Sequence, residues 1–193
     1  APDIRFGSGV LQVVHDTTSS VAQLCSLGEV RIIVRNTGDG ILENVIVEEI
    51  LSPSLSGIRV VPGSVAYATD NAPGSFISVG DPSGSGEAID PYVFDFGSGG
   101  LIPAITEFVS VVDDTASTVN EVTLTFEIEV FDLNLFAGND PGPNIIASGT
   151  ADLFCGQPVL SPGVPFVLPS VKPDITANLT VENVDSGSGL VES

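Results

Sequence analysis

From Glu121 to Val130 the chain alternates. Val122, Leu124, Phe126, Ile128 and Val130 are apolar, and Thr123, Thr125, Glu127 and Glu129 between them are polar. Successive side chains on a β-strand point to opposite faces, so this period of two predicts a strand with one face toward a core. Runs rich in Val, Ile, Thr and Phe, bounded by Gly, Pro, Asn and Asp, predict further strands at Gly9–Thr17, Glu29–Asn36 and Ile41–Ile50, and one or two within Gly57–Ala68. The stretch from Asp70 to Asp90 is rich in Gly, Ser and Pro and reads as a long excursion, with a short strand at Ser75–Val79. Tyr92–Gly97, Glu107–Asp114, Glu121–Asp132 and Ile145–Cys155 complete a set of about nine strands. No window sustains the i, i+3, i+4, i+7 pattern of a helix. The prediction is an all-β, antiparallel β-sandwich.

After Cys155 the pattern breaks. Residues 156–173, "GQPVLSPGVPFVLPSVKP", hold five prolines in eighteen positions. Proline has no N–H for a ladder, so this stretch reads as an extended linker or edge and not as a central strand. Alternation then resumes, with Ile175, Ala177, Leu179 and Val181 on one side and Thr176, Asn178, Thr180 and Glu182 on the other. The expected organisation is an N-terminal extension (1–8), a sandwich (9–155), a Pro-rich linker (156–173) and an extended C-terminal strand and tail (174–193). Pro2-Asp3-Ile4 repeats the Pro173-Asp174-Ile175 opening, so either end could supply an added strand.

Charge narrows the partners. Five Lys plus Arg stand against 25 Asp plus Glu, a formal net charge of −20. Nucleic-acid binding needs cations to displace condensed counterions, and attraction to an anionic bilayer needs the same; both are excluded as expectations. No apolar run reaches the ~18 residues of a membrane-spanning helix, so direct membrane insertion is not expected. The acidity suits solubility in an extracellular medium. A start at Ala1-Pro2 fits an exported chain freed of its signal, or an excised piece of a longer one. Cys25 and Cys155 share no metal-type spacing; in an exported protein they are expected to pair. That bridge would close a loop of about 130 residues and stabilise by roughly 4–5 kcal/mol in the chain-entropy account.

Candidate chemistry is sparse. The single histidine, His15, lies beside Asp16 at a strand end, and no serine sits in a G-x-S-x-G setting, so no hydrolytic triad is expected. His15 reads as an exposed strand-edge residue. Glu48-Glu49 and Asp113-Asp114 read as solvated pairs, since neighbours on a strand diverge. One histidine and two distant cysteines do not make a zinc site. Calcium is the one ion that the oxygen-rich loops admit, through Asp132, Asn134, Asn139 and Asp140, or through Asp70, Asn71, Asp81 and Asp90. No cofactor is otherwise implied. Lys172, the sole lysine, lies in the Pro-rich stretch, a poor place for a core crosslink. Asn178-Leu179-Thr180 is an N-glycosylation sequon.

The order of motifs resembles the domain-of-unknown-function-eleven repeat of bacterial and archaeal surface proteins. "VRIIVRNTGDGILENVIVEEILSPSLSGIRVVPGSV" is similar to its opening, "YVFDFGSGGLIPA" to its aromatic-Asp-x-Gly-x-Leu stretch, and "EVTLTFEIEV" and "NIIASGTADL" to its central and closing strands. The resemblance spans roughly residues 9–155. It implies an immunoglobulin-like sandwich and no catalytic residues. "KPDITANLTVEN" resembles the opening strand of a following repeat.

Two functions follow as expectations. In the first the protein is a structural subunit of an extracellular filament or cell-surface fibre. It polymerises with itself head to tail by strand complementation, with Ile175, Ala177, Leu179 and Val181 entering the neighbour. In the second it is a cell-surface adhesive or ligand-binding module, calcium-dependent or glycan-directed, using the 70–90 loop. An enzyme is not expected.

Overall fold

The computed structural model describes residues 7–19, 27–51, 57–131 and 144–168. Every regular element among them is a strand: β1 (Leu11–His15), β2 (Leu27–Asn36), β3 (Leu42–Ile50), β4 (Ile58–Val60), β5 (Ala66–Thr69), β6 (Ile77–Ser78), β7 (Tyr92–Asp95), β8 (Glu107–Phe108), β9 (Glu121–Val130), β10 (Asn144–Leu153) and β11 (Pro158–Val167). They form two antiparallel sheets. One runs β1-β2-β9-β5-β6, with β4 also on β9; the other runs β11-β10-β3-β7, with β8 also on β3.

The strand order identifies the topology. An immunoglobulin sandwich sets strands A, B, E and D in one sheet and G, F and C in the other. Lettering β1, β2, β3, β5, β9, β10 and β11 as A to G gives A-B-E-D and G-F-C. The remaining short strands decorate this frame, with β7 and β8 lying on the free side of β3.

Two expectations change. Glu107–Asp114 keeps only two strand residues, because Ser110 opens a turn in which its carbonyl accepts from the Asp113 N–H and its hydroxyl bonds the Asp113 carboxylate. More consequential, the Pro-rich stretch supplies the seventh sandwich strand. β11 pairs with β10 from Asn144↔Val167 to Asp152↔Pro158, with a register shift between Ala147 and Gly149. A proline is tolerated on an edge strand, where only one side must donate to a ladder. The sandwich therefore runs past Cys155 to Leu168, whose side chain is fully buried in the core.

Alternation fills the interior. Val30, Ile32 and Val34 of β2 and Val122 to Val130 of β9 face Val45 and Val47 of β3 and Ile145 and Ala147 of β10. Phe94 stacks on Phe126 with centroids 5.4 Å apart, and Phe96 meets Phe108 edge-on at 5.3 Å. Buried Asn36 and Asn120 tie the loop end together. The Asn36 amide donates to Gly40 and Phe108 carbonyls, and the Asn120 amide to those of Asn36 and Val109.

The sheet edges are guarded. The Val93 N–H on β7 donates to the Ser83 carbonyl at 2.9 Å, and that of Val13 on β1 to the Ser161 hydroxyl at 3.0 Å. β6 is two residues long, and β11 carries Pro158, Pro162 and Pro165. Each device limits uncontrolled strand addition.

Candidate functional site

Two features distinguish one side of the sandwich, where β1 closes against β11 and β3. The first lies inside. Leu11, Val13 and His15 occupy alternate positions of β1, and Val45, Val47 and Glu49 alternate positions of β3. The period that drives the valines inward carries His15 and Glu49 with them. Contrary to the expectation of a strand-edge histidine and a solvated acid pair, both side chains are withdrawn from solvent, at 2% and 0% exposure. His15 Nε2 lies 3.1 Å from each Glu49 carboxylate oxygen. The imidazole stacks on Phe166 of β11 at 5.1 Å and 26°. Burial pushes the Glu49 carboxyl above its ordinary range, and the hydrogen bond and charge of His15 partly oppose that. Glu48, one residue earlier, does point outward and is exposed.

Glycine makes the closure possible. A Cβ on Gly149 of β10 would come within 2.7 Å of a Val13 methyl, so a larger residue would push β1 away. Past His15 the chain turns on Asp16, whose carboxylate accepts from the Thr18 N–H and hydroxyl. The backbone hydrogen bond from Thr18 is the main cause holding the Asp16 carboxyl below its ordinary value.

The second feature lies outside. From Phe154 to Val171 the sequence has no charged residue. Within it the edge strand β11 and the hairpin before it expose Phe154 (78%), Leu160 (68%), Val164 (56%) and Val167 (44%). The other sheet differs. Arg31, Arg35 and Arg59 pair there with Glu29, Glu121 and Glu129. Arg59 donates through Nε and Nη2 to one Glu129 oxygen at 3.0 and 2.7 Å. Among the described residues, no Lys or Arg lies on a strand of the β11-β10-β3-β7 sheet.

The other expected sites fall as follows. Ile175, Ala177, Leu179 and Val181, the sequon at Asn178, Lys172 and the calcium candidates Asp132, Asn134, Asn139 and Asp140 lie outside the described residues. Asp70, Asn71, Asp81 and Asp90 are described and do not converge. The Asp70 carboxylate accepts from the N–H groups of Asn71, Asn120 and Glu121, while that of Asp81 accepts from Gly63. Among the described residues no three His, Cys, Asp or Glu side chains are grouped to hold a metal. Of the aromatics near the 70–90 loop, Tyr67 and Tyr92 are core residues, which leaves Phe76 exposed.

Cys155 is a free, exposed thiol in this structure. Cys155 sits at the tip of the β10–β11 hairpin, closed by Leu153 N–H to the Gln157 carbonyl, and the tip points to solvent. Cys25 itself lies outside the described residues.

No known family matches the chain, and no curated protein matches it. Among solved structures it is similar to BcpA, the major pilin subunit of Bacillus cereus, at 10% identity and a TM-score of 0.44, over 84% of this chain and 40% of that one. It is also similar to AvmM, which catalyzes macrocyclization in alchivemycin A biosynthesis, at 8% identity and a TM-score of 0.37, over 86% and 92%. A third likeness is to Spo0M, a sporulation control protein from Bacillus subtilis, at 7% identity and 0.33, over 86% and 51%. The chain thus spans about two fifths of the pilin's length.

Proposed function

We propose that the protein is the structural subunit of an extracellular filament or cell-surface fibre, joined to its neighbours through the β11 side of the sandwich and the segment 174–193. One observation supports this above the rest: a chain of net charge −20 keeps the exposed β11 edge uncharged and apolar. Copies this acidic repel one another. With a screening length of about 8 Å at physiological salt, they approach closely only where no charges face each other. An exposed apolar patch on such a surface marks a contact.

Magnitudes set what the contact needs. Burying what is still exposed of Phe154, Leu160, Val164 and Val167, 44–78% of each, contributes roughly 4–7 kcal/mol at about 1.5–3 per fully buried side chain. Association costs about 4–15 kcal/mol in lost freedom. The patch alone is marginal, and the alternating residues Ile175, Ala177, Leu179 and Val181 supply the remainder. Because β11 already fills the seventh strand position, the donated segment adds to a complete sandwich and does not repair a gap. A contact between different surfaces of successive copies does not close on itself and propagates as a fibre.

The test is sedimentation velocity of the full chain and of the double variant Leu160→Asp/Val164→Asp. Both positions are exposed, so the variant keeps its fold. Assembly of the wild type and a monomeric variant support the proposal. Equal assembly of both overturns the β11 contact.

A further inference from the structure

We propose that His15, Glu49 and Phe166 form a proton-dependent latch that holds β1 and β11 against β3, closed while the His15–Glu49 pair keeps one proton and loosened when it loses it. The inference concerns the domain alone and does not depend on assembly.

The geometry is that of a three-way clasp. His15 ends β1 in the first sheet, Glu49 lies on β3 in the second, and Phe166 lies on β11 at the edge of that sheet. The pair joins the two sheets, whereas the Arg–Glu pairs stay within the first. Beside it runs a polar tie between β1 and β11, from the Val13 N–H to the Ser161 hydroxyl. With one proton shared, the pair is either two neutral groups or an imidazolium on a carboxylate, and both are balanced. Without it, a carboxylate remains withdrawn from solvent with only a neutral imidazole beside it, which is costly.

Among the described residues the surroundings offer no substitute charge. On β10, Ala147 stands opposite Glu49, and on β7 it is Tyr92, whose hydroxyl accepts from the Val60 N–H. On β2, Ile32 stands opposite His15, while the neighbouring Arg31 guanidinium is engaged with Glu29. On β3, Glu48 faces away. Asp16 is committed to Thr18. Across the end of β3, where the Leu51 N–H donates to the Gly86 carbonyl, Glu87 and Asp90 add only acids. β11 contributes Phe166 and no titratable group.

The sign follows from burial. The carboxyl of Glu49 is raised in the folded protein. The stability it brings is present below its unfolded value and is lost as pH rises through its folded one. Glu49→Gln keeps the shape and a hydrogen bond to neutral His15 but cannot lose that proton.

The experiment is amide hydrogen exchange of β1 and β11 at pH 5 and pH 9, corrected for intrinsic rates, in the wild type and in Glu49→Gln. Wild-type exchange should quicken by about tenfold or more between the two pH values, and the variant's by less than about twofold. Equal pH dependence in the two proteins overturns the latch. A second measurement covers a variant that fails to fold. The chain has one histidine, so its ring signals are unique in the NMR spectrum. In the wild type the His15 ring signals should move in step with the Glu49 carboxyl carbon as pH changes. Two independent steps overturn the proposal.

Discussion

Replacing Leu168 with Ala should lower the stability of the sandwich by about 3 kcal/mol, within the ~2–5 kcal/mol range of buried Leu→Ala changes. Leu168 follows directly on β11 and is fully buried in the core. Its side chain seals the end of a strand that the proline content assigns to a linker. In a linker, the same truncation would shift stability by no more than about 0.5 kcal/mol. The two accounts therefore differ several-fold. For a domain of this size, about 3 kcal/mol moves Tm by roughly 6–12 °C. Thermal unfolding followed by circular dichroism resolves that readily. Leu160→Ala, on the same strand but exposed, is the internal control and should leave Tm nearly unchanged. Equal, small shifts for Leu168→Ala and Leu160→Ala would refute the assignment of β11 as the seventh strand.

Three further outcomes follow from the same geometry. Gly149→Val should destabilise by about 1–3 kcal/mol in urea titration, because its Cβ would press on Val13 and force β1 off β10. Ser161→Ala should cost about 1–3 kcal/mol by leaving the Val13 N–H without its acceptor, measured the same way. Asp16→Asn should lower stability at neutral pH and converge with the wild type in acid. The Asp16 carboxyl is depressed in the fold, so its contribution is present above its unfolded value and lost as pH falls through the folded one; a pH series of melting curves reads this directly.

Much of this fold is legible in the chain, for reasons that differ by element. β2, β3, β9 and β10 each bury one face, and their alternation is strict enough to place them within two or three residues. β11 hides because its prolines, permitted by an edge position, carry the signature of a linker. The edge status is a property of the sheet and not of the local sequence. His15 and Glu49 are a different case. Their positions two residues beyond Val13 and Val47 carry the inward signal, but a polar residue at a strand end reads as solvent-facing unless its partner on another strand is known. Neither partner can be named before β1 is set across from β3. The outward setting of Cys155 has the same origin, since the hairpin that carries it exists only once β11 is recognised.

The central claim is that copies of this chain join through the β11 side and the segment 174–193. Negative-stain electron microscopy of the full chain beside a chain ending at Leu168 tests it most directly. The account predicts filaments from the full chain and only folded monomers from the shorter one. Filaments from the shorter chain, or a full chain that stays monomeric at high concentration, would contradict it.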